Sequence, residues 1–189
     1  MRNVMTSVFI CALLLANAAA AADATPSPEA VASEYMTAMK NGDYSACASL
    51  MHTRALEDLK KILLPVLDAA QQAEDKSLLR LFDGATDYKT VTELAPKDFF
   101  IKFMTGVSKM NPDMLKTLAK AEMEPIGHVI EKEKTAHVVF RMTINMDDVK
   151  IAKLEVLSLE QDNGAWRALL TANVEGMAQM LQRRFKKQK

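Results

Sequence analysis

The 189 residues carry 24 basic and 24 acidic side chains, so no net field draws the chain towards nucleic acid, and no basic stripe runs through its body. With 49% of its residues hydrophobic, the chain is long enough for one domain with a substantial core.

Residues 1–22 read as a secretory signal peptide. Arg2 supplies the positive start, Val4 to Leu15 the apolar run, and Ala16-Asn-Ala18 or Ala20-Ala-Ala22 the small-residue cleavage site. That run is too short to span a bilayer, and no later segment is long or apolar enough. The expected product is an exported protein, periplasmic or secreted, without a transmembrane segment. Its domain order is signal peptide 1–22, a short disordered leader 23–26 and a single domain 27–189. Loss of the signal peptide removes Cys11 and leaves Cys47 alone, so no intramolecular disulfide can form. Cys47 lies on the apolar side of a short helix and is expected to be a buried small hydrophobe.

Ser27 caps a first helix with Pro28 at its first position and Val31, Tyr35, Ala38 and Met39 on one face. Asn41-Gly42 ends it, and Asp43 caps a second helix bearing Tyr44, Cys47, Leu50 and Met51. A third starts near Thr53, with Leu56, Leu59, Leu63, Val66, Leu67 and Ala70 as its stripe and Pro65 inside it as an expected kink. A further helical piece, Leu78 to Phe82, stops at Asp83-Gly84. Residues 85–94 read as a loop. Pro96 opens another helix with Phe99, Phe103, Val107 and Met110 on one side. Asn111-Pro112 restarts it to about Ala121.

The second half reads as strands. Period-2 runs from Met123 to Ile130, Thr135 to Ile144, Val149 to Glu160 and Ala165 to Thr171 are separated by turn residues. Asn163-Gly164 suits a two-residue turn, which pairs Glu160 with Arg167 and Leu159 with Ala168. Leu157, Leu159, Trp166, Ala168 and Leu170 then share a core face, and Glu160 with Arg167 forms an opposite-charge pair on the other. Asn173 is expected to cap a terminal helix. Helices first, then a four-stranded meander, then a helix: the order predicts an α+β domain with helices packed on one face of a curved antiparallel sheet.

Several of these segments resemble secreted members of the nuclear-transport-factor-2-like superfamily, with its ketosteroid-isomerase-like cone. They are Pro28-Glu29, Tyr35, Lys40-Asn-Gly-Asp-Tyr44 and Leu50-Met-His52, then His137-Val-Val-Phe-Arg141, Leu157-Ser-Leu159 and Asn163 to Leu170. The resemblance implies a bent sheet wrapped round helices with a pocket between them. That superfamily includes isomerases, dehydratases, lipid carriers, immunity proteins and noncatalytic domains, so the fold does not choose among them. Trp166-Arg-Ala and Val174-Glu-Gly-Met177 also resemble the end of periplasmic phospholipid-carrier proteins.

Chemistry is sparse. A symmetric turn at Glu131 to Lys134 would set His128 opposite His137 and Glu124 opposite Arg141 on one face. Two such imidazoles could share a metal, but no third ligand lies nearby in sequence, and no metal is expected. No Gly-x-Ser-x-Gly, His-Glu-x-x-His, Cys-x-x-Cys or phosphate-binding glycine loop is present, and no catalytic residue or cofactor is assigned. Of 13 methionines, Met36, Met39, Met51, Met104, Met110, Met142, Met177 and Met180 fall on or beside apolar stripes, as core filling or as a pocket lining.

The candidate ligand-binding residues are Tyr35, Met39, Phe99, Phe103, His128, His137 and Arg141. The leading expectation is a noncatalytic domain that binds a small apolar or amphipathic molecule or a partner protein. The alternatives are a cofactor-free lyase or isomerase acting in the cone and a periplasmic lipid carrier. Arg183, Arg184, Lys186 and Lys187 give the last helix a basic end that could touch an anionic surface.

Overall fold

The computed structural model describes residues 25–146, 149–170 and positions 176, 180, 181 and 183. The expected signal peptide, the start of the expected leader, residues 147–148 and most of the expected terminal helix therefore lie outside the described residues; Gly176, Met180, Leu181 and Arg183 are helical.

Local signals place the first helices. In α1 (Pro28–Asn41) the Ser27 side chain accepts from the Ala30 amide at 3.2 Å, and Gly42 closes the helix at φ 71°. Asp43 caps α2 (Tyr44–Leu50) through the Ala46 amide. The long α3 (Thr53–Gln72) runs on through Pro65 and buries the predicted leucine stripe. A 3-10 turn, Lys76–Leu81, follows. Residues 85–94 differ from the expected loop: α4 (Tyr88–Glu93) forms there. Asp87 caps it, accepting from the Thr90 amide at 2.8 Å and from the Thr90 hydroxyl at 2.8 Å. Then come α5 (Pro96–Met110) and α6 (Pro112–Lys120). Among the described residues no helix is long and apolar enough to cross a membrane.

The sheet is an antiparallel meander of β1 (Glu122–Glu131), β2 (Thr135–Met146), β3 (Val149–Asp162) and β4 (Ala165–Ala168), in that spatial order. The protein is an α+β domain, its helices packed on one face of this sheet. Asn163 (φ 50°) and Gly164 (φ 80°) make the β3–β4 turn with both central residues at positive φ, and the pairs Glu160–Arg167 and Leu159–Ala168 form in the expected register. Leu157, Leu159, Trp166 and Ala168 are buried beneath the helices with Ala136, Val138 and Phe140.

The charges on the opposite face sort differently from the expectation. Arg54 of α3 takes Glu160 at 2.6 Å, while Arg167 donates to the Ser49 carbonyl at 2.8 Å. An arginine at the last turn of α2 finds an acceptor with no helical partner, which draws it away from the cross-strand carboxylate.

Cys47 is fully buried on α2, and burial pushes its thiol up to about 12. An unfolded chain, whose thiol ionises near 9.0, releases this proton first, so the site favours folding below pH 9 and loses that contribution between pH 9 and about 12. Thiol-reagent labelling should track global unfolding, and Cys47→Ala should flatten the stability loss over that alkaline window. Rapid labelling of the folded protein would contradict this placement.

Candidate functional site

Rows of side chains crossing the concave face of the sheet define the site. Directly opposite residues share a face, so the pairing gives the rows Met123–Met142–Lys153, Pro125–Phe140–Glu155 and His128–Val138–Leu157. The helices bury Val138 and Leu157 of the third row, whereas His128 at its end and the first two rows stay partly open. There α1 brings Tyr35, Met36 and Met39, α5 brings Phe100 and Met104, and α6 brings Leu118, enclosing a cavity of about 290 Å³. A smaller cavity of about 120 Å³ adjoins it, lined by Met36, Lys40, Met123 and Phe140 among others. Lys40 fastens this end of α1 to the start of the sheet by donating to the Ala121 carbonyl at 2.7 Å.

Five methionine side chains and two phenylalanine rings make most of the larger cavity's wall. Its ionic groups among the described residues are Lys153 and Glu155, ion-paired to each other, with Glu155 the more buried. Tyr35 is 4% exposed, and burial pushes its phenol above the ordinary range, so its hydroxyl stays protonated at any physiological pH. Among the described residues no three His, Cys, Asp or Glu side chains gather as a metal site.

The predicted site residues divide. Tyr35 and Met39 line the cavity together. Phe99 and Phe103 do not; both are fully buried against Phe82, with ring centroids 4.9 and 5.5 Å away. Their neighbours Phe100 and Met104 are the cavity residues, because α5 is buried on two sides and the second side faces the sheet. Met110, placed with the Phe99 stripe, is 52% exposed.

The histidine pair does not form. The β1–β2 turn holds three residues, with Lys132 and Glu133 at positive φ, so Glu131 pairs with Thr135 rather than Lys134. A bulge at Ile126 then absorbs the extra residue. Between turn and bulge the register is shifted by one, and a one-residue shift sends side chains to opposite faces. His128 lies opposite Val138 on the concave side and bonds to Glu29 of α1, which holds that carboxyl below its ordinary range. His137 lies on the convex side, 2.9 Å from the Ser158 hydroxyl and 3.1 Å from Glu131, whose carboxyl it likewise holds down. Beyond the bulge the expected register returns: Glu124 lies opposite Arg141, whose guanidinium donates to it at 3.1 Å. Arg141 is therefore on the convex face, away from the cavity.

Sequence reasoning did not single out Phe100, Leu118, Met123, Lys153 or Glu155. One signal was present. The inward series of β3 reads Ile151, Lys153, Glu155, Leu157, Leu159, and two charges in a core-facing series mark where the helices stop covering the sheet.

No family model and no curated protein matches this chain. Among solved structures it is similar to an NTF-2-like protein of unknown function from Shewanella oneidensis MR-1, at 11% identity and a TM-score of 0.38. The likeness covers 74% of this chain and 89% of that one.

Proposed function

We propose that this protein is an exported, noncatalytic domain of the nuclear-transport-factor-2-like type, and that the cavity between α1, α5, α6 and the sheet holds a small apolar or amphipathic ligand. The observation that carries the reading is the wall itself: five flexible thioethers and three aromatic rings around about 290 Å³ of space, with one ion pair at its edge. Ligand sites are mostly apolar with few polar groups, and span roughly 300–1,000 Å³. This cavity sits at the small end of that range. It suits a compact ring system or a single short acyl chain better than a phospholipid with two long chains. Methionine side chains adapt to irregular apolar shapes.

The lyase or isomerase alternative needs a free acid or base facing the ligand. Glu155 is the carboxylate that lines the cavity, and the Lys153 ammonium occupies it. Binding, by contrast, requires only shape and desolvation.

A ligand at about one hundred times its dissociation constant should stabilise the protein by about 2.7 kcal/mol and raise Tm by roughly 5–10 °C. The measurement is a thermal-shift screen of medium-chain fatty acids, sterol-like compounds and small aromatics on wild type and Met36→Trp, whose indole would fill the space. Wild type should shift and Met36→Trp should not. An equal shift in both would place binding elsewhere, and turnover of a compound that Glu155→Gln abolishes would establish the enzyme instead.

A further inference from the structure

We propose that the methionine wall also forms a soft-metal site, in which the thioether sulfurs of Met36, Met123 and Met142 bind one Cu(I) ion. Three observations converge on these residues. Met123 and Met142 are directly opposite each other on the concave face of β1 and β2. Met36 reaches the same wall from α1, and it lines both adjoining cavities together with Met123. Met39 and Met104 line the larger cavity as well and offer a fourth donor.

The distribution of methionine in this fold departs from simple core filling. The inward stripe of α3 is built from Leu56, Leu59, Leu63, Val66 and Leu67, without methionine, although it packs the same core. Around the cavity the proportion is inverted: five methionines stand with Leu118 and Leu157. Leucine fills volume with better-defined rotamers than methionine. What methionine adds is a sulfur lone pair.

Ligand softness then selects the ion. Thioethers are neutral, polarizable donors that suit Cu(I), whereas Mg, Ca and Mn require oxygen donors and Zn takes thiolate or imidazole. Among the described residues no cluster of His, Cys, Asp or Glu competes for the ion. A thioether carries no proton at any working pH. Binding here should therefore release none and should not weaken between pH 5 and 8, unlike a histidine or cysteine site.

This inference is independent of the apolar-ligand reading, since a ligand needs the cavity's shape and the metal needs its sulfur. Replacing methionine by leucine nearly conserves volume and removes the sulfur. The experiment is anaerobic titration of the mature protein with Cu(I) against a colorimetric Cu(I) chelator, and with Ag(I) as a redox-inert substitute. It is run at pH 5 and pH 8 on wild type, Cys47→Ala and the triple variant Met36→Leu, Met123→Leu, Met142→Leu. Wild type and Cys47→Ala should take up a single equivalent with the same affinity at both pH values. The triple variant should take up none while keeping the far-UV circular dichroism spectrum and cooperative unfolding of wild type. Uptake retained by the triple variant, uptake lost in Cys47→Ala, or no uptake by wild type would each overturn the proposal. Should the triple variant fail to fold, the ¹³C-methyl methionine spectrum of wild type decides. Ag(I) must move the Met36, Met123 and Met142 resonances, and shifts confined to other methionines would overturn the site.

Discussion

Gly106→Ala is expected to destabilise the protein by about 3 kcal/mol or more, although alanine is the better helix former by about 1 kcal/mol. Gly106 lies inside α5, where the backbone of the 3-10 turn presses directly against the helix. A Cβ at this position would lie 2.9 Å from the Phe82 amide nitrogen and closer still to the Leu81 carbonyl. Backbone atoms cannot rotate aside as a side-chain end can. Either α5 or the turn must move, and both are tied to Phe82, Phe99 and Phe103 in the most completely buried part of the core. Denaturant unfolding measures the sign directly. A variant as stable as wild type or more so would show that α5 and the turn do not touch.

The second large effect belongs to the β3–β4 hairpin. Trp166→Ala should cost roughly 3–5 kcal/mol, because an indole only 8% exposed is removed from a face shared with Leu157, Leu159 and Ala168. Its neighbour Arg167 points the other way, to the Ser49 carbonyl at the end of α2. Arg167→Ala should cost about 1 kcal/mol, the scale of one partly exposed hydrogen bond. If Arg167→Ala proved the more damaging of the two in denaturant unfolding, the faces of the hairpin would be reversed.

These two positions also show where the sequence is readable and where it is not. The hairpin is legible because Asn163-Gly164 fixes both the turn geometry and the register, and every inward residue of β3 and β4 follows from it. The neighbouring β1–β2 turn is not legible. Lys132, Glu133 and Lys134 have no preference for positive φ, so nothing local distinguishes a two-residue from a three-residue loop. That single residue separates His128 from His137 and dissolves the apparent pair, until the Ile126 bulge restores the pairing of Glu124 with Arg141.

Helices were limited in another way. Periodicity finds the stripes of α1 and α5, but it does not say which side of a helix buried on two sides meets the sheet. Tyr35 and Met39 are legible because α1 has one apolar face. The α5 pattern points to Phe99 and Phe103 rather than Phe100 and Met104 because α5 has two. Gly106 carried a signal of its own, a glycine inside a helical pattern with no cap to explain it. Lys153 and Glu155 carried another, as charges in an inward-facing series.

Under the proposed function, a small apolar molecule binds in the cavity lined by Met36, Met39, Met104, Met123 and Met142. A methyl spectrum of the ¹³C-methionine-labelled chain from residue 23 onward, titrated with the compound that gives the largest thermal shift, decides this. Those five resonances should shift saturably at one common dissociation constant, with Met51 and Met110 unmoved. Met51 is buried elsewhere in the core, and Met110 is exposed at the end of α5. Shifts at Met51 or Met110 with the five cavity methyls unchanged would contradict it.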